Sequence, residues 1–302
     1  MEVKQTFSEK LKSELCSNVY SNQAQKAILY SFLSNSLSIS LTNKGEIWEL
    51  KSQFFFIIKF MSDLFTELYD VKKSVMFTGI NKINNHRVYM LRVTGNFQQI
   101  TTDSGLLKKP VDVIKTTAQM KGFLVGAFLS GGSISSSTDR RYHLEIRSNN
   151  VAYLLFIQTI LNKFNISIVL SQRRNGYFLY IKKSYDISDF LKLIGANNCM
   201  LEFEDTKISR DLFTQMNRLN NLDISNIKKS SSAGNKQIQK IKQIMNTEIY
   251  EKQSKKFKIF CQLRLENENA SLSELSKLFL EKHNIKINRT SINHYVIKLK
   301  RL

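Results

Sequence analysis

Gly122-Phe123-Leu124-Val125-Gly126-Ala127-Phe128-Leu129-Ser130-Gly131-Gly132-Ser133-Ile134 is the stretch on which the fold turns. It reads as the end of a helix whose small residues serve packing. Gly126 and Ser130, four apart, share one helical face and let a second helix approach closely. Gly131-Gly132 offers a sharp exit from the helix into a strand.

Working outward, Thr117–Ser130 reads as the helix and Tyr142-His143-Leu144-Glu145-Ile146 as a strand with alternate residues on opposite faces. A helix over 150–164 follows, then a strand over 166–171. Tyr177–Lys182 pairs with it across a turn containing Asn175-Gly176, a strong hairpin signal. A closing helix covers 185–194. The first half has the same order: helix 23–34, strand 37–41, a turn at Asn43-Lys44-Gly45, helix 54–68, then strands 74–78 and 87–93 joined by the polar stretch 81–86. The expected fold class is therefore α+β, a pseudo-two-fold tandem αββαββα repeat followed by an all-α domain. The repeat is legible in the order of elements rather than residue by residue.

The expected domains are 1–115, the first repeat; 116–221, the second repeat; 222–234, a linker; and 235–302, the helical domain. Lys228-Lys229-Ser230-Ser231-Ser232-Ala233-Gly234 is polar, ends in glycine and lacks a periodic apolar face, which predicts an irregular connector. No apolar run approaches the ~20 residues a bilayer needs, and the first sixteen residues alternate charged and apolar rather than forming a signal peptide. Cys16, Cys199 and Cys261 lie far apart without CxxC spacing, so no disulfide framework or metal site is expected. A cytoplasmic, nucleoid-associated protein without cofactor follows as the expectation.

Charge narrows the partner. Lys and Arg number 45 against 25 Asp and Glu, a net +20. Between Ile227 and Leu302 stand 17 basic and 6 acidic residues, +11 in 76 positions, leaving +9 for the preceding 226. An AT-rich coding bias would spread lysine evenly, so the concentration marks a basic C-terminal module suited to a polyanion.

That module has the pattern of a helix-turn-helix. Ser271-Leu272-Ser273-Glu274 fits a capping box and opens a helix with Leu275, Leu278 and Phe279 on one face. A turn is expected over 281–287, and Asn288 is a good N-cap for the last helix. There Ile292, Tyr295, Val296 and Leu299 face the core. The opposite face carries Thr290, His294, Ile297 and Arg301, flanked by Ser291 and Lys298, with Arg289 in the first turn. Such side chains reach base edges and phosphates in double-stranded DNA. A charged helix face is also what simple solvation produces; the clustered charge favours the DNA reading.

The opening stretch resembles the LAGLIDADG motif in the form carried by WhiA proteins. The resemblance extends through Tyr142–Ile146, Arg173–Tyr177, Asp189–Ala196, Leu201–Asp205, Asn217–Asn221, Ser225-Asn226, Leu263–Asn267, Ala270–Leu272 and Asn293-His294. Before Gly122 it fades: Ser31-Phe32-Leu33-Ser34-Asn35-Ser36-Leu37 is a degenerate cousin of the motif. The resemblance implies a homing-endonuclease-like body joined to a helix-turn-helix, and a transcription regulator of cell division, chromosome segregation and, in sporulating relatives, sporulation. It adds Asn293 to the DNA-facing set.

Active nucleases of the LAGLIDADG type carry an acid at the foot of each motif helix to hold divalent metal, a hard cation that needs anionic oxygen. Aligning the motif puts Gly131 at one such position, and Leu129 at the motif's other acid. In the first repeat the position falls at or beside Asn35, and no carboxylate lies between Gln23 and Asn43. No catalytic or metal-binding residue is expected, and the protein is not expected to be an enzyme. Lys44, Arg141, Arg147, Arg173, Arg174, Lys182 and Lys183 lie in or beside strands and turns, where a sheet could meet phosphate; Arg173, Arg174, Lys182 and Lys183 are the candidate backbone contacts. The rival readings are a working endonuclease or maturase, a protein-interaction scaffold and an RNA-binding protein. Other transcription proteins are further candidate partners. The sequence does not set the oligomeric state.

Overall fold

Thr116 accepts a hydrogen bond from Gln119 N while the Gln119 side chain accepts from the Thr116 N–H, and this capping box starts the central helix of the body. The computed structural model describes residues 5–43, 45–80, 87–95, 97–104, 106, 108–135, 142–174 and 176–302. Lys44, the 81–86 turn, Arg141 and Asn175 lie outside the described residues. The chain divides into two compact units, Met1–Ser209 and Arg210–Leu302.

In the first unit, α1 (Phe7–Ser17) precedes α2 (Asn22–Ser36), β1 (Ser38–Thr42), β2 (Gly45–Ser52), α3 (Phe55–Leu68), β3 (Val71–Ile80), β4 (Arg87–Gly95) and α4 (Phe97–Ser104). After the short α5 (Pro110–Val113) the order recurs as α6 (Thr117–Gly131), β5 (Gly132–Ile134), β6 (Leu144–Ser148), α7 (Val151–Lys163), β7 (Val169–Arg173), β8 (Gly176–Ile181) and α8 (Ser184–Leu193). The helix α9 (Asn197–Ile244) follows. Each repeat forms one antiparallel four-stranded sheet, ordered β1-β2-β4-β3 and β5-β6-β8-β7. The fold is the expected α+β tandem repeat.

Strand alternation explains how the sheets pack. Trp48, Leu50, Leu91 and Val93 of the first sheet, and Leu144, Ile146, Leu179 and Ile181 of the second, are buried in the shared core. The neighbouring positions Glu49, Arg92, Glu145 and Arg147 fall on the other face. The helices α2 and α6 pack against each other between the repeats. A Cβ on Gly122 would stand 2.5 Å from Ala24 O, and one on Gly126 would strike Ile28 O, so these two glycines set the close approach. Ser130 instead accepts a hydrogen bond from Asn35. The Ser31 hydroxyl and Tyr153 hydroxyl, both buried, lie 2.8 Å apart and tie the first repeat to α7.

The helix passes directly into a strand at the glycine pair, as expected, with α6 ending at Gly131 and β5 beginning at Gly132, but the backbone there does not require glycine. Neither Gly131 nor Gly132 has a positive φ, and Gly132 is extended at φ −78°. Both are confined by space: a Cβ on Gly131 meets Arg147 O and the Asn35 amide, and one on Gly132 meets the Phe128 ring. The helix α1 has no counterpart in the expected order, although Phe7, Leu11 and Leu15 recur every four residues and are buried.

The segment 222–234 is helical, part of α9, and not an irregular connector. It contains no proline, and serine, lysine and alanine cost a helix little, at most ~0.7 kcal/mol each. Gly234 is retained inside the helix because a Cβ there would meet the Glu268 carbonyl.

The second unit continues with α10 (Glu248–Glu251), α11 (Lys255–Glu266), α12 (Leu272–His283) and α13 (Arg289–Arg301). Its core joins Ile241, Phe257, Phe260, Leu275, Phe279, Ile292, Val296 and Leu299. Arg264, 2% exposed, donates to Ala270 O at 2.6 Å and clamps the loop between α11 and α12.

Candidate nucleic-acid interface

The capping box at α12 forms as its sequence indicates: Glu274 N donates to Ser271 Oγ at 3.2 Å and Ser271 N to Glu274 Oε2 at 2.6 Å. The helix runs to His283, three residues into the stretch expected as turn. Asn284 ends it in the left-handed region at φ 51°, with its N–H on Leu280 O and Ile285 N on Phe279 O. The connection is therefore the short one, 284–288. Ser276 donates to Ile287 O and pins that connection to α12.

Asn288 caps α13, accepting from Ser291 N at 2.8 Å. Ile292, Val296 and Leu299 are buried and Tyr295 packs against Phe257 and Phe260. Arg289, Thr290, Asn293, His294, Lys298 and Arg301 are exposed. Ser291 differs: it is half-buried, and its hydroxyl donates to Asn288 Oδ1 at 2.8 Å, so its donor is spent on the cap. The Lys298 ammonium lies 5.3 Å from the Phe257 ring. Beside α13, Lys228, Lys236 and Lys240 of α9 line a cavity of about 670 Å³ together with Asn293 and Lys300. Lys228, read as part of a linker, carried no role in the sequence, nor did Lys236 and Lys240 of the helix expected after it; α9 gathers them beside α13.

At the foot of the central helices of the first unit, Asn35 Nδ2 donates to Ser130 Oγ at 3.0 Å and to Arg147 O at 3.2 Å, beside Gly131. The pair that the motif alignment puts at the acid positions does sit together. Around it opens a cavity of about 540 Å³ whose described lining includes Arg147, Arg173 and Arg174 and has no acidic residue. Lys182 and Lys183 are exposed beyond it, stacked at 4.8 Å and 5.4 Å from the rings of Tyr180 and Tyr185.

A cluster that sequence reasoning missed holds the arginines. Glu145, 6% exposed, accepts from Arg147 Nε at 2.6 Å, pairs with Arg173 Nη1 at 3.4 Å and lies 3.0 Å from His143 Nε2. Burial alone would raise the Glu145 carboxyl. Hydrogen bonds from His143 and Arg147 and the charges of Arg147 and Arg173 outweigh it, holding the group below the ordinary carboxylate range. The first repeat has a similar arrangement, with Arg92 Nε 2.8 Å from Glu49 Oε1. A signal existed: Glu49-Leu50-Lys51-Ser52 and Glu145-Ile146-Arg147-Ser148 match in order and kind, and Ser52 and Ser148 each accept from the N–H two residues on.

Family models match nearly all of this architecture. The WhiA N-terminal LAGLIDADG-like domain matches residues 22–107, the WhiA LAGLIDADG-like domain 120–213 and the WhiA C-terminal HTH domain 216–302. A probable cell division protein WhiA of Lactiplantibacillus plantarum is 31% identical over 301 residues, which span 97% of this chain and 96% of that one. The chain belongs to the WhiA family. The relative of the same name from Limosilactobacillus fermentum is 29% identical over 97% of this chain and 96% of its own. The full-length DUF199/WhiA protein of Thermotoga maritima, known from its crystal structure, has the same fold at 24% identity, with a TM-score of 0.61 and coverage of 98% and 96%. The WhiA body is thus LAGLIDADG-like in both repeats, and an HTH domain follows. Among the described residues no helix is long and apolar enough to cross a membrane.

Proposed function

We propose that this WhiA protein is a DNA-binding regulator of transcription, acting in cell division and chromosome segregation, in which α13 reads double-stranded DNA and the LAGLIDADG-like body does not cut. The observation that carries this reading is the exposed face of α13. Arg289, Thr290, Asn293, His294, Lys298 and Arg301 are all exposed on a helix that Ile292, Val296 and Leu299 anchor in the core. Side chains of this kind on the second helix of a helix-turn-helix enter the major groove, its first turn meeting base edges. The lysines of α9 and Lys300 add positive charge beside that face, which draws in a phosphate backbone and releases its counterions. Arg173, Arg174, Lys182 and Lys183 are the candidate backbone contacts of the body. The name of the curated relatives, cell division protein, supports the cellular role, and this reading implies a cytoplasmic location on the nucleoid.

The test is binding of the full chain to genomic fragments, with and without residues 272–302 and at two salt concentrations. Selective, strongly salt-dependent binding that vanishes with the truncation is the expected result. Full selective affinity in the truncated chain would assign DNA reading to the body instead.

A further inference from the structure

We infer that the cavity at the foot of α2 and α6 is a binding site for a small phosphorylated ligand, such as a free nucleotide, with Arg147, Arg173 and Arg174 as its phosphate-binding groups. The two positions that the motif alignment gives to acids carry no charge here. Gly131 and Asn35 bring none, and three guanidinium groups line the same space. A metal needs anionic ligands; a set of guanidinium groups needs an anion.

The arginines are not a loose surface fringe. Glu145 is almost wholly buried and grips Arg147 through Nε and Arg173 through Nη1. The Arg173 guanidinium also lies 4.2 Å from the centre of the Phe178 ring. Both side chains nonetheless keep about half or more of their surface open, 62% and 53%. Their orientation is set before any ligand arrives, so a ligand need not freeze two long, flexible side chains, each a cost of roughly 0.5–1.5 kcal/mol. Planar guanidinium groups match phosphate oxygens in a two-pronged way that a lysine cannot. Arg174, exposed on the adjoining turn, adds a third charge from outside the Glu145 cluster.

Size and charge select the ligand. A cavity of about 540 Å³ lies within the range of small-molecule sites, ~300–1,000 Å³. With Glu145 offsetting one of the three arginines, two positive charges remain, which a phosphate monoester or a diphosphate matches and a monocarboxylate only halves. Tyr177 in the wall, half-buried, gives a base an aromatic surface to lie against. A duplex backbone presents phosphate too, but as isolated diesters on a rod too wide to enter a pocket of this size. The shared chemistry is phosphate, and the two sources separate experimentally.

Isothermal titration calorimetry on the full chain at low ionic strength, with inorganic phosphate, pyrophosphate and ATP as probes, tests the inference. Pyrophosphate and ATP are expected to bind more tightly than inorganic phosphate. Arg147→Gln and Arg174→Gln should each weaken them at least tenfold, while Lys192→Gln, an equal loss of charge at an exposed site elsewhere on the body, should leave affinity unchanged. Arg147→Gln also disturbs the Glu145 cluster and can affect folding, so Arg174→Gln, outside that cluster, decides the matter if the first variant unfolds. Equal affinity in wild type, Arg174→Gln and Lys192→Gln would overturn the assignment. So would the absence of heat with any free probe at millimolar concentration while a short duplex binds in an Arg174-dependent manner, because the arginines would then serve DNA alone, as the backbone contacts proposed above, and hold no free ligand.

Discussion

The amide nitrogen of Asn35 lies 2.9 Å from where a Cβ on Gly131 would stand, so the feet of the two central helices meet with no space for a carboxylate. The absent acid is thus more than a missing functional group. Its room has been taken by a hydrogen-bonded amide and by the backbone of Arg147.

Gly131→Asp should therefore fail to restore metal-dependent cleavage and should also destabilise the body. Forcing new atoms against backbone costs about 1–3 kcal/mol. Urea unfolding measures the loss, and nicking of supercoiled DNA with magnesium or manganese measures activity. Cleavage by this variant, or undiminished stability, would refute the steric argument.

Glu145→Gln should show a pH-dependent penalty. The Glu145 carboxyl sits below its ordinary range in the folded protein. It therefore contributes stability above the ordinary carboxylate pKa, and that contribution is lost as pH falls through the lowered folded value. The wild type should exceed the variant in unfolding free energy near neutral pH, and the gap should close on acidification. A gap that stays constant with pH would mean the carboxylate charge is not what holds Arg147 and Arg173.

Helix continuity through 222–234 is open to two substitutions. Ser231→Pro should cost about 3 kcal/mol, as in any helix interior, and lower the helical circular dichroism. Gly234→Ala, normally favourable in a helix, should destabilise instead because of the Glu268 carbonyl. Rapid proteolytic cutting within 222–234, ahead of all other sites, would speak for an irregular connector after all.

On α13, Lys298→Ala and Arg301→Ala should weaken binding to every duplex and reduce the salt slope by about 1 for each phosphate no longer neutralised. His294→Ala and Thr290→Val should instead narrow the gap between target and scrambled DNA, by roughly 1–3 kcal/mol for each base contact. Ser291→Ala should act chiefly on helix stability, because the Ser291 hydroxyl is committed to the Asn288 cap. Loss of selectivity in Ser291→Ala without any change in stability would reverse that assignment.

The sequence by itself determined the elements and their order. Period-two strands such as 144–148, the helix around Gly126, the Ser271 capping box and the Asn288 cap are local signals, written within a few residues and independent of distant partners. So was the basic tail. Tertiary structure decided what depends on neighbours remote in sequence. The glycine pair at 131–132 looked like a backbone requirement and is a spatial one, visible only with Asn35, Arg147 and Phe128 in place. The segment 222–234 lacks an apolar period, yet it is helical; its last residues pack on the loop at Glu268 and Asn269, contacts that no local pattern encodes. Arg147 and Arg173 read as a charged rim until the sheet brought them around Glu145, a buried carboxylate on β6 that reaches Arg173 of β7 across the intervening β8.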